Sequence, residues 1–521
     1  MNGTVRKNVG KVAGLTMASR VLGLVREMLQ ARLVGADWEQ SAFSFAFMLP
    51  NLARRLFGEG ALTAAFVPVF KEQAEKEGLE KAGRLARAVL SLMTLMLGAI
   101  VLLSIVGLSA ALAWAPDLSE STALILRLLR IMLPYMVFIC AAAFGMGVLN
   151  ALGRFGAPAF APCLLNFLWI GTLAALWFAP GVSVVGRVTW VSVAILLAGV
   201  AQMAYLLREM RKAGVRPAIV REGWGDEKTR LVWKRTFSAA VGSGAQQINT
   251  VASQTLALIA APWAVGVINY ADRLMELPLA VVGTAFGTVL LPTYSAHFAK
   301  GDVDGARDTF VGSVRDLLFL MLPASVGLAV LAPDIVRVFY QGHAFTDVDT
   351  VRVSRALAAY AAGLAFFGFQ KALVPWFQAQ GDVATPRNIA VQTLIVNVTL
   401  NALSVFLLPV EWRHVGIAAS LGLSAVAACA ALSVLAIRRN GSLGFRRLAA
   451  PIAKTLAAAL AMGIVLWVLR SAVPAFSAGW FGAALRLGVL VAAGAFTYFA
   501  AAFLLLPSSA RAAVRRFRRR K

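Results

Sequence analysis

Charged side chains stand inside stretches that are otherwise apolar: Arg20, Arg26 and Glu27 in the first, Arg54, Arg55 and Glu59 in the second, and Asp272, Arg273 and Glu276 in the eighth. A charge at the centre of a bilayer costs at least about 2.5–3.5 kcal/mol on insertion scales, so such groups are functional candidates by default. Guanidinium groups are always charged and grip phosphate oxygens through two parallel N–H donors, which an ammonium does not do. The chemistry these residues suit is recognition of an anion within a membrane, as in a transporter with a cationic cavity. Asp272 and Glu276 are four residues apart on one helix face, and Glu276 is also three residues from Arg273. Acids placed there would hold an arginine while the site is empty and yield it when an anion arrives. The competing reading is a closed structural ion-pair network.

The elements that must carry these charges follow from composition. Of 521 residues 59% are hydrophobic and only 14% charged, more apolar surface than a soluble fold can hide. The apolar runs reach or exceed the roughly 20 residues of a membrane-crossing helix and are too long and uniform for barrel strands. About fourteen are expected, over residues 8–35, 41–70, 86–113, 122–149, 157–179, 187–208, 234–260, 266–297, 311–340, 352–379, 385–409, 414–437, 449–470 and 480–506. The fold class is thus an all-α polytopic membrane protein. Lysine and arginine concentrate in alternate links, the largest being 208–235 and the tail 507–521, while the intervening links hold almost none. The positive-inside rule then predicts that both termini are cytoplasmic.

No nucleic-acid partner is expected. The net charge of +25 lies mostly in the basic links and tail, where it orients the chain and meets anionic lipid headgroups. Arg20 and Arg26 interrupt the first run and no small-residue cleavage site follows, so the first helix is expected to be retained. Cys140, Cys163 and Cys429 are scattered through predicted spans, and His297, His343 and His414 make no metal-binding spacing. With no nucleophile elbow and no phosphate-binding glycine loop, neither an enzyme nor a cofactor is expected.

Two internal echoes suggest a duplicated half. Ala151, Gly153 and Pro158 recur as Ala379, Gly381 and Pro386, and Pro68 recurs as Pro292 at a nearly equal offset. The predicted organisation is an N-terminal lobe at 1–208, a basic linker at 209–233, a C-terminal lobe at 234–437, two extra helices at 449–506 and a basic tail at 507–521. Repeated halves place a substrate site near the midplane between them, where the buried charges of both lobes would line a central cavity.

Four motifs in order carry a resemblance: SRVLGLVREMLQARLVGA at 19–36, FMLPNLARRLFGEGALTAAFVPVF at 47–70, LGRFGAPAFAPCLLN at 152–166 and YADRLMELPLAVVGTAFGTVLLP at 270–292. They resemble the MurJ/MviN family of lipid II flippases, through essentially the whole chain. The resemblance implies the multidrug/oligosaccharidyl-lipid/polysaccharide exporter fold, with twelve helices in two lobes and two C-terminal helices that form a groove for the lipid tail, here 449–506. It implies lipid II and membrane lipids as partners, leaves room for cell-wall synthesis proteins, and places the chain in the bacterial cytoplasmic membrane.

Lipid II joins an undecaprenyl chain through a diphosphate to a disaccharide-pentapeptide, so its head is large and anionic. Arg20, Arg26 and Arg273 are the first candidates for the diphosphate, with Arg54, Arg55, Lys371 and Asn51 completing the substrate-binding set. Glu27, Glu59, Asp272 and Glu276 are the acidic or gating candidates. Arg20 and Arg26 lie about 9 Å apart along an ideal helix, and Gly23 between them permits a bend. Arg54 and Arg55 diverge by about 100°, so one is expected to face the cavity and the other to pack. Lys371 matches a lysine of the family pattern, with a snorkelling lysine as the alternative. The chain departs from the family at Ser41, where many members carry Asp, and its seventh stretch offers Gln246, Gln247, Asn249 and Ser253 but no acid. The sequence therefore carries no claim about cation coupling. An exporter of another undecaprenyl-linked oligosaccharide or of a drug on the same fold is the alternative function.

Overall fold

The structure, a computed structural model, describes residues 3–505 apart from 59, 116 and 475–478, with no side chains at 3–9, 11, 57–58, 240–243, 245–246, 281, 284–285 and 288. Glu59 and the tail at 507–521 lie outside the described residues, as does the side chain of Gln246. Those described form helices joined by short links.

They divide into two compact units, the first comprising Met1–Gln254 with Gly342–Phe345 and the second Thr255–Gln341 with Thr346–Lys521. The first unit holds α1 (Gly3–Val34), α2 (Trp38–Ala53), a π-helical turn at Arg54–Gly58, α3 (Ala61–Glu77), α4 (Leu79–Trp114), α5 (Glu120–Ala151), α6 (Gly156–Trp177), α7 (Val184–Lys212) and α8 (Glu227–Ala260) as far as Gln254. The second continues through α9 (Ala264–Ala299), α10 (Val303–Val330), α11 (Ala332–Tyr340), α12 (Asp347–Gln378), α13 (Ala384–Leu407), α14 (Val410–Asn440), α15 (Phe445–Ala472) and α16 (Trp480–Leu505). Among the described residues, ten helices are long and apolar enough to cross a membrane: α4 to α7, α10 and α12 to α16.

Each of the fourteen predicted stretches falls on one helix, except two that are broken. The second stretch is α2, the π turn and α3. Pro50 withdraws a backbone N–H from the ladder, and the chain widens to a π turn four residues later. Gly60 closes this break, because a Cβ there would stand 2.6 Å from the Arg55 carbonyl oxygen. The ninth stretch is α10 and α11, parted at Leu331. Pro333 cannot extend the α10 ladder but suits the first turn of a new helix.

In the first unit α5 is the central helix, buried over most of its length and packed on α7, α2 and α4. In the second, α12 takes that place against α14, α9 and α10. Close approach there relies on glycine: a Cβ on Gly363 of α12 would meet the Gly422 backbone of α14 at 2.6 Å, as small residues permit in membrane helix packing. The two central helices end alike. Gly153 and Gly381 adopt left-handed φ values of 73° and 79°, and each is followed by a residue whose N–H reaches back to close the last turn, Arg154 to Leu149 O at 2.8 Å and Asp382 to Phe377 O at 3.1 Å. The echo in the sequence is therefore one capping structure used twice.

The link after α7 folds against α4. Ser91 Oγ accepts the Val220 N–H at 2.8 Å and donates to the Ala218 carbonyl at 3.2 Å. At the other end of the chain, α15 and α16 pack on α10 through Ala458, Met462, Leu466 and Tyr498. Buried Asp334 of α11 binds Arg470 at 2.7 Å and Arg486 at 2.8 Å, which fastens both terminal helices.

Candidate functional site

Arg26 is held on three sides. Its guanidinium donates to Glu27 Oε1 at 2.6 Å and to Asn166 Oδ1 of α6 at 3.1 Å, and its central carbon stands 4.3 Å over the Trp169 ring. Asn166 uses its amide N–H to grip the Ser19 carbonyl at 3.1 Å, so α6 clamps α1 on both sides of Gly23. The Trp169 indole N–H donates to Gln30 Oε1 at 3.2 Å, Gln30 donates to Gln40 of α2 at 3.0 Å, and Gln40 donates to Ser44 at 3.1 Å. Phe43 and Phe47 meet Trp169 edge-on at 5.6 and 5.7 Å. A polar chain thus runs from α6 through α1 into α2, with its amides and indole buried. Within it the Arg26 Nε is buried and makes no hydrogen bond among the described residues.

Helix α1 is continuous through Gly23. Six residues on a continuous helix turn through about 600°, which leaves Arg20 and Arg26 about 120° apart. The two accordingly differ in surroundings, Arg20 being exposed and Arg26 packed against α6.

The pair in the π turn is also divided. Arg54 is half-buried and donates from Nε to Asn51 Oδ1 at 3.0 Å, while Arg55 is exposed. In the second unit, Arg273 and Glu276 of α9 pair at 3.2 Å with both side chains about half exposed, and Asp272 is half-buried. Lys371 of α12 is exposed, and its Cε lies 3.7 Å from where a Cβ on Gly283 of α9 would stand, so its stem crosses α9 where there is no side chain. Ser41, where the sequence departs from the family pattern, is fully buried in α2.

The structure therefore joins Arg26 with Glu27, Arg54 with Asn51, and Arg273 with Glu276. Sequence reasoning missed Asn166, Trp169, Gln30 and Gln40. The available signal was a lone amide in an apolar helix: Asn166 closes one of the four motifs, and Gln30 follows Arg26 by four residues.

Comparison with known proteins gives the family and the fold. The sequence profile of the family described as "Lipid II flippase MurJ" matches residues 30–485. The chain is 34% identical over 505 residues to the probable lipid II flippase MurJ of Rhizobium tropici, covering 95% of this chain and 93% of that one. It is 35% identical over 447 residues to the lipid II flippase MurJ of Burkholderia cenocepacia, covering 82% and 83%. In fold it is similar to a lipid II flippase MurJ in an inward closed conformation, with a TM-score of 0.76 and 23% identity over 95% of this chain and 98% of that one. It is also similar to an inward-facing multidrug resistance MATE family transporter, with a TM-score of 0.67 and 15% identity over 83% and 98%. On sequence over nearly its whole length, this all-α polytopic membrane protein belongs to the MurJ family of lipid II flippases.

Proposed function

We propose that this chain carries lipid II from the cytoplasmic to the outer face of the bacterial inner membrane by alternating access, with a cationic cavity holding the diphosphate. The observation that carries the reading is Arg26: a guanidinium held by Asn166, Glu27 and Trp169, with an unpaired Nε donor. Diphosphate oxygens suit that donor and would compete with Glu27 for the others. Arg20, Arg273, Arg54, Arg55, Lys371 and Asn51 complete the proposed binding set. Glu27, Glu59, Asp272 and Glu276 neutralise it between cycles. The lobes are those outlined from the sequence, 1–208 and 234–437, with 449–506 providing the groove for the polyprenyl tail. Both termini are cytoplasmic in this reading, and a cysteine placed within 209–233 should be labelled only from inside.

The test is movement of labelled lipid II in cells where this chain is the sole flippase. Arg20→Ala, Arg26→Ala and Arg273→Ala should each abolish transport at near-normal membrane levels, whereas Ala in place of Arg127, an exposed residue in the first half of α5, should matter much less. Lysine replacements should restore part of the activity, because they keep the charge and lose the two-pronged donor. Arg20→Lys should be the milder change, since Arg26 has three partners shaped for a guanidinium. Normal transport with all three arginines replaced would refute the site.

A further inference from the structure

A second cationic cluster lies where α12 and α14 begin and α8 turns into α9, within the second unit. Two arginines one helical turn apart on α12 each lie on a tryptophan: Arg352 has its central carbon 4.0 Å from the Trp263 ring centre, and Arg355 is 4.8 Å from that of Trp412. Trp263 is fixed from behind by His414, whose ring meets it edge-on at 4.9 Å and whose Nε2 lies 3.1 Å from the Arg352 carbonyl oxygen. Arg413 is spent on backbone, donating to Leu408 O at 3.1 Å and Ala260 O at 3.3 Å, which ties α14 to the end of α8.

Stacking occupies the face of a guanidinium and leaves its edge, with the N–H donors, available. Arg355 is exposed, and Arg352 is about a quarter exposed, with a 3.9 Å approach to Asp349 as its ion pair. Asp349 is itself committed to the capping box of α12, where it accepts from the Thr346 N–H at 2.9 Å and the Thr346 hydroxyl at 3.0 Å. Asp347, in the first turn of α12, and Glu411, in the first turn of α14, are further acids at these helix starts. The flanking surface is apolar. Phe406 and Leu407 are each 73% exposed and Trp412 is 48% exposed, a combination suited to lipid and to the headgroup level at which tryptophan anchors.

We infer that Arg352 and Arg355, on their Trp263 and Trp412 shelves, form a site for the phosphate of an anionic membrane phospholipid, separate from the proposed transport site. The phosphate takes the guanidinium edges, while the acyl chains lie along the exposed apolar residues of α13. Two arginines at a fixed i,i+3 spacing, each seated over a tryptophan ring, make this a built site rather than a diffuse positive field.

The experiment uses the full chain in nanodiscs of phosphatidylcholine containing a minor fraction of phosphatidylglycerol, with native mass spectrometry counting retained phosphatidylglycerol. Arg352→Gln with Arg355→Gln should weaken retention by about thirtyfold, given roughly one kcal/mol per basic residue near a lipid surface. Arg352→Lys with Arg355→Lys keeps the charge but loses the stacked planes, and should fall between that variant and the wild type. Trp412→Leu, which changes no charge, should also reduce retention. Equal retention by the wild type and the Lys pair would overturn the built site. Unchanged retention by the Gln pair would overturn the proposal outright, and if that variant nonetheless lost support of growth, the surface would be assigned to an acidic protein instead. Lipid II transport by the Gln pair reports separately on the proposed transport site.

Discussion

Arg26 and Trp169 are a stacked pair inside the first unit, with the guanidinium carbon 4.3 Å from the ring centre and the arginine side chain 14% exposed. The ring covers one face of the cation, so Asn166 and Glu27 reach it at the edge. A desolvated cation–π contact is worth about 2 kcal/mol or more, against 0.5–1 at an exposed site. The arrangement stabilises the charge in α1 without consuming all of its donors.

Removing the shelf should therefore impair transport without removing a charge. Trp169→Ala is expected to weaken apparent affinity for lipid II by roughly tenfold or more, the scale of a lost buried cation–π contact. Trp169→Phe keeps a ring under the guanidinium and loses only the N–H to Gln30, so it should recover most of the loss. Asn166→Ala frees both Arg26 and the Ser19 carbonyl and should resemble Trp169→Ala. The measurement is transport rate against lipid II concentration. Trp169→Ala and Trp169→Phe behaving alike would show that the ring face is not what matters.

Much of the fold was legible because membrane helices declare themselves by length and uniform apolarity, and each of the fourteen stretches falls on helix. The two breaks were harder to read. At Arg54–Gly58 and at Leu331 the apolar run continues while the backbone changes, and the clues were single prolines, Pro50 and Pro333. The candidate charges were legible because charge inside a span stands out. Their partners were not, because Asn166 is 140 residues from Arg26 and no local pattern joins them. The repeat sits between these cases: the spacing around Gly153 and Gly381 suggested it, and the matching left-handed caps give it a physical cause.

A pH effect is expected at the turn between α12 and α13, outside the membrane-spanning segments. Asp382 accepts the Thr385 N–H at 2.9 Å and also pairs with Arg439 of α14, and these contacts, the Thr385 hydrogen bonds foremost, lower its pKa to about 2. A carboxylate whose folded pKa lies below its unfolded value stabilises the fold above the unfolded value of about 3.9, and that contribution is lost as pH falls through the folded pKa. Asp382→Asn should thus lower the thermal unfolding temperature in detergent by the same amount from pH 7 down to about pH 5. The difference should shrink between about pH 4 and pH 2. A gap that stays constant to pH 2 would show that the ionised form is not what the fold uses.

The last prediction concerns driving force. Lipid II bears negative charge on its diphosphate and peptide carboxylates, and a bacterial membrane is negative inside. Moving the head outward releases roughly 2.3 kcal/mol per net charge per 100 mV, but only for charge not neutralised by cations that travel with it. The tether on Arg26 bears on this point. Asn166 and Trp169 hold it to α6, and Asn166 also grips the Ser19 carbonyl, contacts that on the proposed binding reading would keep this cation with its unit rather than let it follow the headgroup across the field. Fixed arginines lower the cost of desolvating the head and leave the electrical drive largely intact, or let the potential favour the return of the empty carrier. Collapsing the membrane potential at constant pH gradient should therefore slow the appearance of lipid II on the outer face. An unchanged rate would remove the potential from the mechanism and leave downstream consumption of lipid II, by mass action, as the source of direction.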